Sequence, residues 1–266
     1  MSTFESRKRS RELNEKLIKL ALISAATISI LTTFGILFSI LFEAIEFFKL
    51  RSFWYFITGA TWSPGVIGSQ FGALPIFAGT FVITIIALGV AIPVGLGSAI
   101  YMSEYASANI RDYLKPLLEI LAGIPTVVYG FFAAITVAPL VVQIAEFFGL
   151  EATFNSALAS GVVMGIMIIP VISSLSDDVI RAVPDSQRKA AFALGMTHGE
   201  TIKNIVLPSA MPGIISASLL GLSKALGETM IVVMAAGLRP NLSWNPLEDM
   251  TTVTVTIVNS LVGDFE

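Results

Sequence analysis

From Phe71 to Ser103 the chain carries no Asp, Glu, Lys or Arg for 33 residues, and such a stretch is stable only where water is kept out. A helix needs about 20 consecutive apolar residues to cross the hydrocarbon core of a bilayer. The run is longer than one span requires and Pro75 lies near its start, so its helix is expected at 77–102, with a non-spanning lead-in before it. Three further runs, 20–42, 120–145 and 152–176, are uncharged for 23, 26 and 25 residues, and a fifth, 212–237, is interrupted only by Lys224 and Glu228. Charged residues make up 13% of the chain, against roughly 25% in an average soluble domain. A water-soluble fold is excluded. The expected fold is all-α, a polytopic membrane helical bundle of five spans.

Basic residues precede the run 20–42, as they do in a secretory signal. The run exceeds the roughly 7–15 residues of a signal's apolar core and no Ala-x-Ala site follows it, so it reads as a retained first transmembrane helix. Orientation follows from Lys and Arg, which concentrate in short cytoplasmic segments. The tail 1–19 holds Arg7, Lys8, Arg9, Arg11, Lys16 and Lys19, which places the N-terminus in the cytoplasm. With five spans, the next inside segments carry Arg111 and Lys115, then Arg181, Arg188, Lys189 and Lys203. Outside segments hold only Lys49, Arg51 and Arg239. The tail is expected to be a solvated, charged start to the first helix. Trp54, Tyr55 and Trp62, in the outside loop 43–70, are expected as interfacial anchors against membrane lipid.

The segment between the fourth and fifth spans carries the most local information. Pro184 and Ser186 begin Asp185-Ser-Gln-Arg-Lys-Ala-Ala-Phe-Ala-Leu-Gly195, which reads as a short helix ended by Gly195. Thr197-His-Gly-Glu200 has capping-box spacing and starts a second short helix, expected to end at Pro208. Two short helices joined at a glycine form a compact cytoplasmic knob that can fill a groove on another protein. His198, the sole histidine, is expected as a surface or docking contact rather than a catalyst. The sequence has no dinucleotide-binding motif, no metal-ligand cluster and no Gly-x-x-x-x-Gly-Lys phosphate loop, so ATP hydrolysis is not expected of this chain itself.

Ala190-Ala191-x-x-x-Gly195, then nine residues, then Ile205-x-Leu207-Pro208, resembles the EAA loop of ABC importer permeases, with Lys189 where the family usually has an acidic residue. Phe71-Gly-Ala-Leu-Pro75 with Gly79-Thr80, the stretch from Leu118 to Gly130, and Ala225-Leu-Gly-Glu-Thr-Met230 extend the resemblance to the permeases of phosphate importers, PstC-like, over about 71–238. The resemblance implies a type I ABC importer transmembrane domain (MetI-like). Its permease core would be 71–238 and its cytoplasmic coupling loop 177–208. Docking to an ATPase would use Lys189, Ala190, Ala191, Gly195, Ile205, Leu207 and Pro208. It further implies PstB-like ATP-binding subunits that hold ATP-Mg, a PstA-like second permease and a PstS-like periplasmic phosphate-binding protein. No cofactor, metal, catalytic residue or nucleic-acid partner of this chain is implied. Such permeases carry a further C-terminal spanning helix, so 239–266 is expected to be a periplasmic segment with that final helix absent. The same machine for molybdate or sulfate, or a membrane channel or receptor without an ATPase, are the competing readings.

Lys224 and Glu228 stand four apart, hence on one face if they share a helix. A charge at the bilayer centre costs roughly 2.5–3.5 kcal/mol on insertion scales, so each needs a partner or a polar cavity. Two readings follow: a self-neutralising pair that orients the helix, or, with Thr229, an element of the substrate pathway. The family pattern has Arg where Lys224 stands, so the charge is kept but the bidentate fork is not. Glu119 is expected one turn into the third span, at the positive end of its dipole. Gly123, Pro125 and Gly130 are expected within that helix, and Pro93, Gly95 and Gly97 within the second, as places of bending or close packing.

The orientation predicts the outcome of labelling with a membrane-impermeant maleimide in the natural cysteine-free background. A cysteine at position 60 should react from outside in intact cells, and one at position 190 only after the membrane is opened. The reverse pattern would invert the topology.

Overall fold

The computed structural model describes residues 2–65 and 69–262, with side chains from Asn14 onward. The side chains of Arg7, Lys8, Arg9 and Arg11 lie outside the described residues, as does 263–266. The chain divides into two compact units, 1–56 and 57–266.

In the first unit the basic tail and the first span form one helix, α1 (Ser2–Leu50), apolar enough to cross a membrane from Asn14 onward. A short helix α2 (Phe53–Thr58) follows. Phe47 and Phe48 meet Phe53 and Phe56 edge-to-face, with centroids 5.1–5.8 Å apart, the arrangement that the ring quadrupole favours.

The second unit opens with an antiparallel pair, β1 (Trp62–Ser63) and β2 (Gln70–Phe71), in the register Trp62 opposite Phe71. Four apolar spans follow: 74–105, 126–147, 157–181 and 198–226. Together with the helix in 14–50 they give, among the described residues, the five expected. The first of the four is α3 (Leu74–Ile100), which starts with Pro75 in its first turn, where a missing N–H costs nothing. It runs on through a π turn to Tyr105.

The next span does not begin where hydropathy puts it. An amphipathic helix α4 (Ala108–Gly123) comes first, and the chain is then extended at Ile124 and Pro125 before α5 (Thr126–Phe132). The proline explains the break, because its ring disfavours helical geometry at the residue before it. Glu119, Gly123 and Pro125 therefore lie outside the spanning helix, and Glu119 does not sit at the start of its dipole. From α5 the span continues through a π turn at Ala133–Val137 into α6 (Ala138–Phe147). The turn widens just before Pro139, giving its ring the room that an α turn denies it.

The helix α7 (Ala157–Arg181) is the axis of the unit. Ser156 caps it by accepting from Ala159 N at 3.3 Å, and the N–H groups of Ala157 and Leu158 donate to the carbonyls of Glu248 and Pro246 at 3.1 and 2.8 Å. Its buried faces divide into two cores. One joins Met164, Met167, Ile168 and Ile172 to Ile83 and Ala87 of α3 and to Ile231, Val232 and Met250; the other gathers Ala99, Ile180, Val183, Val206 and Ile214. Small residues bring α3 and α7 close, as is usual where two helices pack in a membrane. A Cβ on Gly165 would lie 2.8 Å from the Ala87 carbonyl oxygen and from Val90 Cβ.

After α7 come α8 (Asp185–Ala193), α9 (His198–Thr201) and α10 (Leu207–Leu226), the last two joined by a π turn at Ile202–Val206. Pro208 does not end a helix as expected. The π turn precedes it and the helix runs through to Leu226. Two short helices, α11 (Met230–Ala235) and α12 (Val253–Val262), complete the unit. The loop between them is organised by Glu248, whose carboxyl is held below the usual range by hydrogen bonds from Ser243, Asn245 and Asn241.

The α3 and α7 contact predicts different outcomes for two glycines. Gly165→Ala overpacks and should cost about 1–3 kcal/mol, seen as a lower unfolding temperature in detergent. Gly97→Ala on the same pair, where a Cβ meets nothing within 4 Å, should hold or raise that temperature, since alanine favours the helix.

Candidate functional site

Two places combine unusual backbone with groups able to bind. The first is the α8–α9 corner. Gly195 has φ +83, and the N–H groups of Gly195 and Met196 return to the carbonyls of Phe192 and Ala191 at 2.9 and 3.2 Å, a Schellman closure that an L side chain would strain. Two residues later the capping box forms. Glu200 N donates to Thr197 Oγ1 at 3.4 Å, while Thr197 N donates to Glu200 Oε2 at 2.8 Å. The tight corner folds α8 back against the start of the last span.

Between them lies a groove of about 560 Å3 floored by Ala190, Ala191, Leu194, Met196, Ile205 and Pro208. Ser209 Oγ donates to Gln187 Oε1 at 3.1 Å across one rim. Of the residues singled out from sequence, Ala190, Ala191, Ile205 and Pro208 line the groove. Gly195 makes the corner instead, Lys189 is exposed on α8, and Leu207 packs on the second core. Leu194 and Met196 were not anticipated. Their signal was present, since apolar residues flank Gly195 on both sides, and Leu194 is 82% exposed.

The second place is the end of the last span. Lys224 and Glu228 do not share a helix face: α10 stops at Leu226, and Gly227 to Thr229 break the chain before α11. No ion pair joins them. The buried Glu228 carboxylate instead accepts the N–H groups of Met230 and Ile231 through Oε1, at 3.0 and 3.3 Å. In this arrangement the acid's partners are backbone donors rather than Lys224. Thr254 Oγ1 donates to the Glu228 carbonyl at 3.0 Å, and Thr80 Oγ1 accepts from Val253 N at 3.0 Å. Lys224 is half-buried on the last turn of α10, and Thr229 is half-buried in the break. The Glu228 carboxylate and the hydroxyls of Thr80 and Thr254 therefore tie the broken end of the span to the starts of α11 and α12. Thr80 of α3 and Thr254 of α12 were not singled out as site residues, because nothing local announces that segments 173 positions apart meet.

Comparison with known proteins brings these two places together. The family model described as binding-protein-dependent transport system inner membrane component matches residues 91–252, a stretch that includes the corner and Lys224, Glu228 and Thr229. The protein named "Probable ABC transporter permease protein YqgH" of Bacillus subtilis is 32% identical over 95% of this chain and 81% of its own length. "Phosphate transport system permease protein PstC 1" of Mycobacterium bovis is 33% identical over 82% of this chain and 73% of its own. Among solved structures, the inward-facing MetNI methionine ABC transporter is 22% identical, with a TM-score of 0.47 over 63% of this chain and 74% of that one. The family match spans more than half of the residues, and the chain belongs to the inner-membrane permease components of binding-protein-dependent ABC transporters.

Proposed function

We propose that the chain is the permease subunit of an ATP-driven importer of inorganic phosphate. The observation that carries the reading is the 33% identity over most of the chain to a permease named for phosphate transport. In this reading the N-terminus is cytoplasmic, the protein sits in the inner membrane, and 239–266 faces the periplasm. The groove between α8 and the start of the last span receives a segment of a PstB-like ATPase subunit, which binds ATP-Mg. A PstA-like permease completes the pathway, and a PstS-like binding protein delivers the anion from outside.

The chemistry at the broken span fits such a substrate. The Lys224 ammonium attracts an oxyanion, and Thr229 can donate to its oxygens. Hydrogen phosphate also carries a proton that a carboxylate can accept, whereas sulfate at neutral pH carries none. Both cap bonds to Glu228 fall on Oε1, which leaves Oε2 for such a proton. A pathway for sulfate or molybdate would make no use of that acceptor.

Docking is tested at Ala190, exposed on the groove in regular helix, rather than at Gly195, whose left-handed backbone would strain any side chain. Ala190→Trp should cut recovery of the ATPase with the purified permease by at least about tenfold, the effect of blocking a well-packed contact centre. Undiminished recovery, with normal ATP hydrolysis, would remove the groove from the interface.

Glu228→Gln separates the cap from the anion role, because a glutamine oxygen still accepts from Met230 and Ile231 but is a poor acceptor for a phosphate proton. Phosphate uptake per assembled complex should fall about tenfold or more, the scale of one charge-assisted hydrogen bond. Uptake measured in proteoliposomes with the ATPase and binding protein present decides the matter. Wild-type uptake, or transport of sulfate in place of phosphate by the unmodified protein, would overturn the reading.

A further inference from the structure

Glu104 ends the long uncharged run of the second span, a position where a carboxylate is ordinarily solvated. Its side chain is only 5% exposed. The cover is Arg188 of α8, whose Nη1 pairs with Glu104 Oε1 and whose Nη2 donates to the carbonyl of Ile180 at 2.9 Å. The same guanidinium lies 3.8 Å from Asp185. His198 Nε2 stands 3.9 Å from the other Glu104 oxygen, and its ring meets Tyr105 edge-to-face at 5.2 Å and stacks parallel to Phe192 at 6.3 Å. One buried carboxylate thus joins the end of α3, the end of α7, and both short helices of the corner.

The covalent chain connects the corner only to α7 and α10. The Glu104–Arg188 pair, with the His198 contacts to Glu104 and Tyr105, adds the end of α3. A planar guanidinium holding two acceptors in fixed directions resists displacement in a way a solvated pair does not. At its other end α3 offers Thr80 to the N-terminus of α12, whose Thr254 is bonded to Glu228. The distance along the helix from residue 80 to 104 is about 36 Å at 1.5 Å per residue.

We propose that Glu104 and Arg188 form the joint through which movement of the ATPase-bound corner reaches α3, and through it Glu228. The proposal rests on the docking reading above. Both residues are positioning residues, since neither touches substrate in this arrangement.

The test uses the complete complex in proteoliposomes with its ATPase subunits and binding protein. Recovery of the ATPase, ATP hydrolysis and phosphate uptake are measured for Glu104→Gln, Arg188→Gln, the double variant and Arg188→Lys. Each single glutamine variant should keep its ATPase and hydrolyse ATP within about twofold of the parent, while uptake per ATP falls about tenfold, the worth of one buried charge-assisted bond. The double variant should lose no more than either single one, because the two residues act as a unit. Arg188→Lys keeps the charge but not the second donor, so it should fall in between. A parental ratio of uptake to hydrolysis in Glu104→Gln or Arg188→Lys overturns the joint, and so do additive losses in the double variant. Failure of both Glu104→Gln and Arg188→Lys to assemble makes the pair a plain structural clamp and overturns it too. Failure of the docking reading looks different: Ala190→Trp then retains its ATPase whatever the Glu104 variants do.

Discussion

Inside a bilayer no water is available to bond a backbone N–H or carbonyl, so every interruption of a spanning helix must be closed by the chain itself. The irregular features of this protein answer that demand. Pro139 and Pro208 each follow a π turn, in which the N–H of Ala138 or Leu207 reaches the carbonyl five residues back. The break after Leu226 frees the first donors of α11, and the Glu228 carboxylate satisfies two of them. The start of α7 borrows carbonyls from the loop before α12. The Glu228 side chain is thus itself part of the backbone repair.

Around these closures the second unit is built on α7. Its small residues let α3 approach until backbone meets side chain, as at Gly165, and α10, α4 and α11 also pack against it. Lipid tails are as apolar as leucine, so this contact is held by fit rather than by exclusion of water. The serine hydroxyls of α10 show the same economy, since Ser216, Ser218 and Ser223 each return a bond to the carbonyl four residues back.

Span number and helical class were legible because hydropathy and length are coarse properties, and a bilayer enforces both. The corner was legible in detail: Gly195, Thr197 and Glu200 sit in local motifs whose bonds reach only three to five residues. The third span was misplaced because hydropathy does not register Pro125; the run 120–145 is evenly apolar across the break. Lys224 and Glu228 misled for a related reason. Their spacing implies one face only if the helix continues, and whether Gly227 ends a helix depends on the tertiary partners at Thr254 and Thr80. Arg188 and Glu104 lie 84 positions apart, and nothing local to either announces the other.

The π turn at Ile202–Val206 has a geometric consequence for how such a corner is attached to its span. A π turn holds one residue more than an α turn, and each residue of a helix turns the chain by about 100°. The widened turn absorbs that extra residue, so the helix axis passes through it with little change. Loss of one position within 202–206 would restore a plain α turn and press the Pro208 ring against the carbonyl four residues before it, so the extra residue is what lets the last span begin on a proline without a kink.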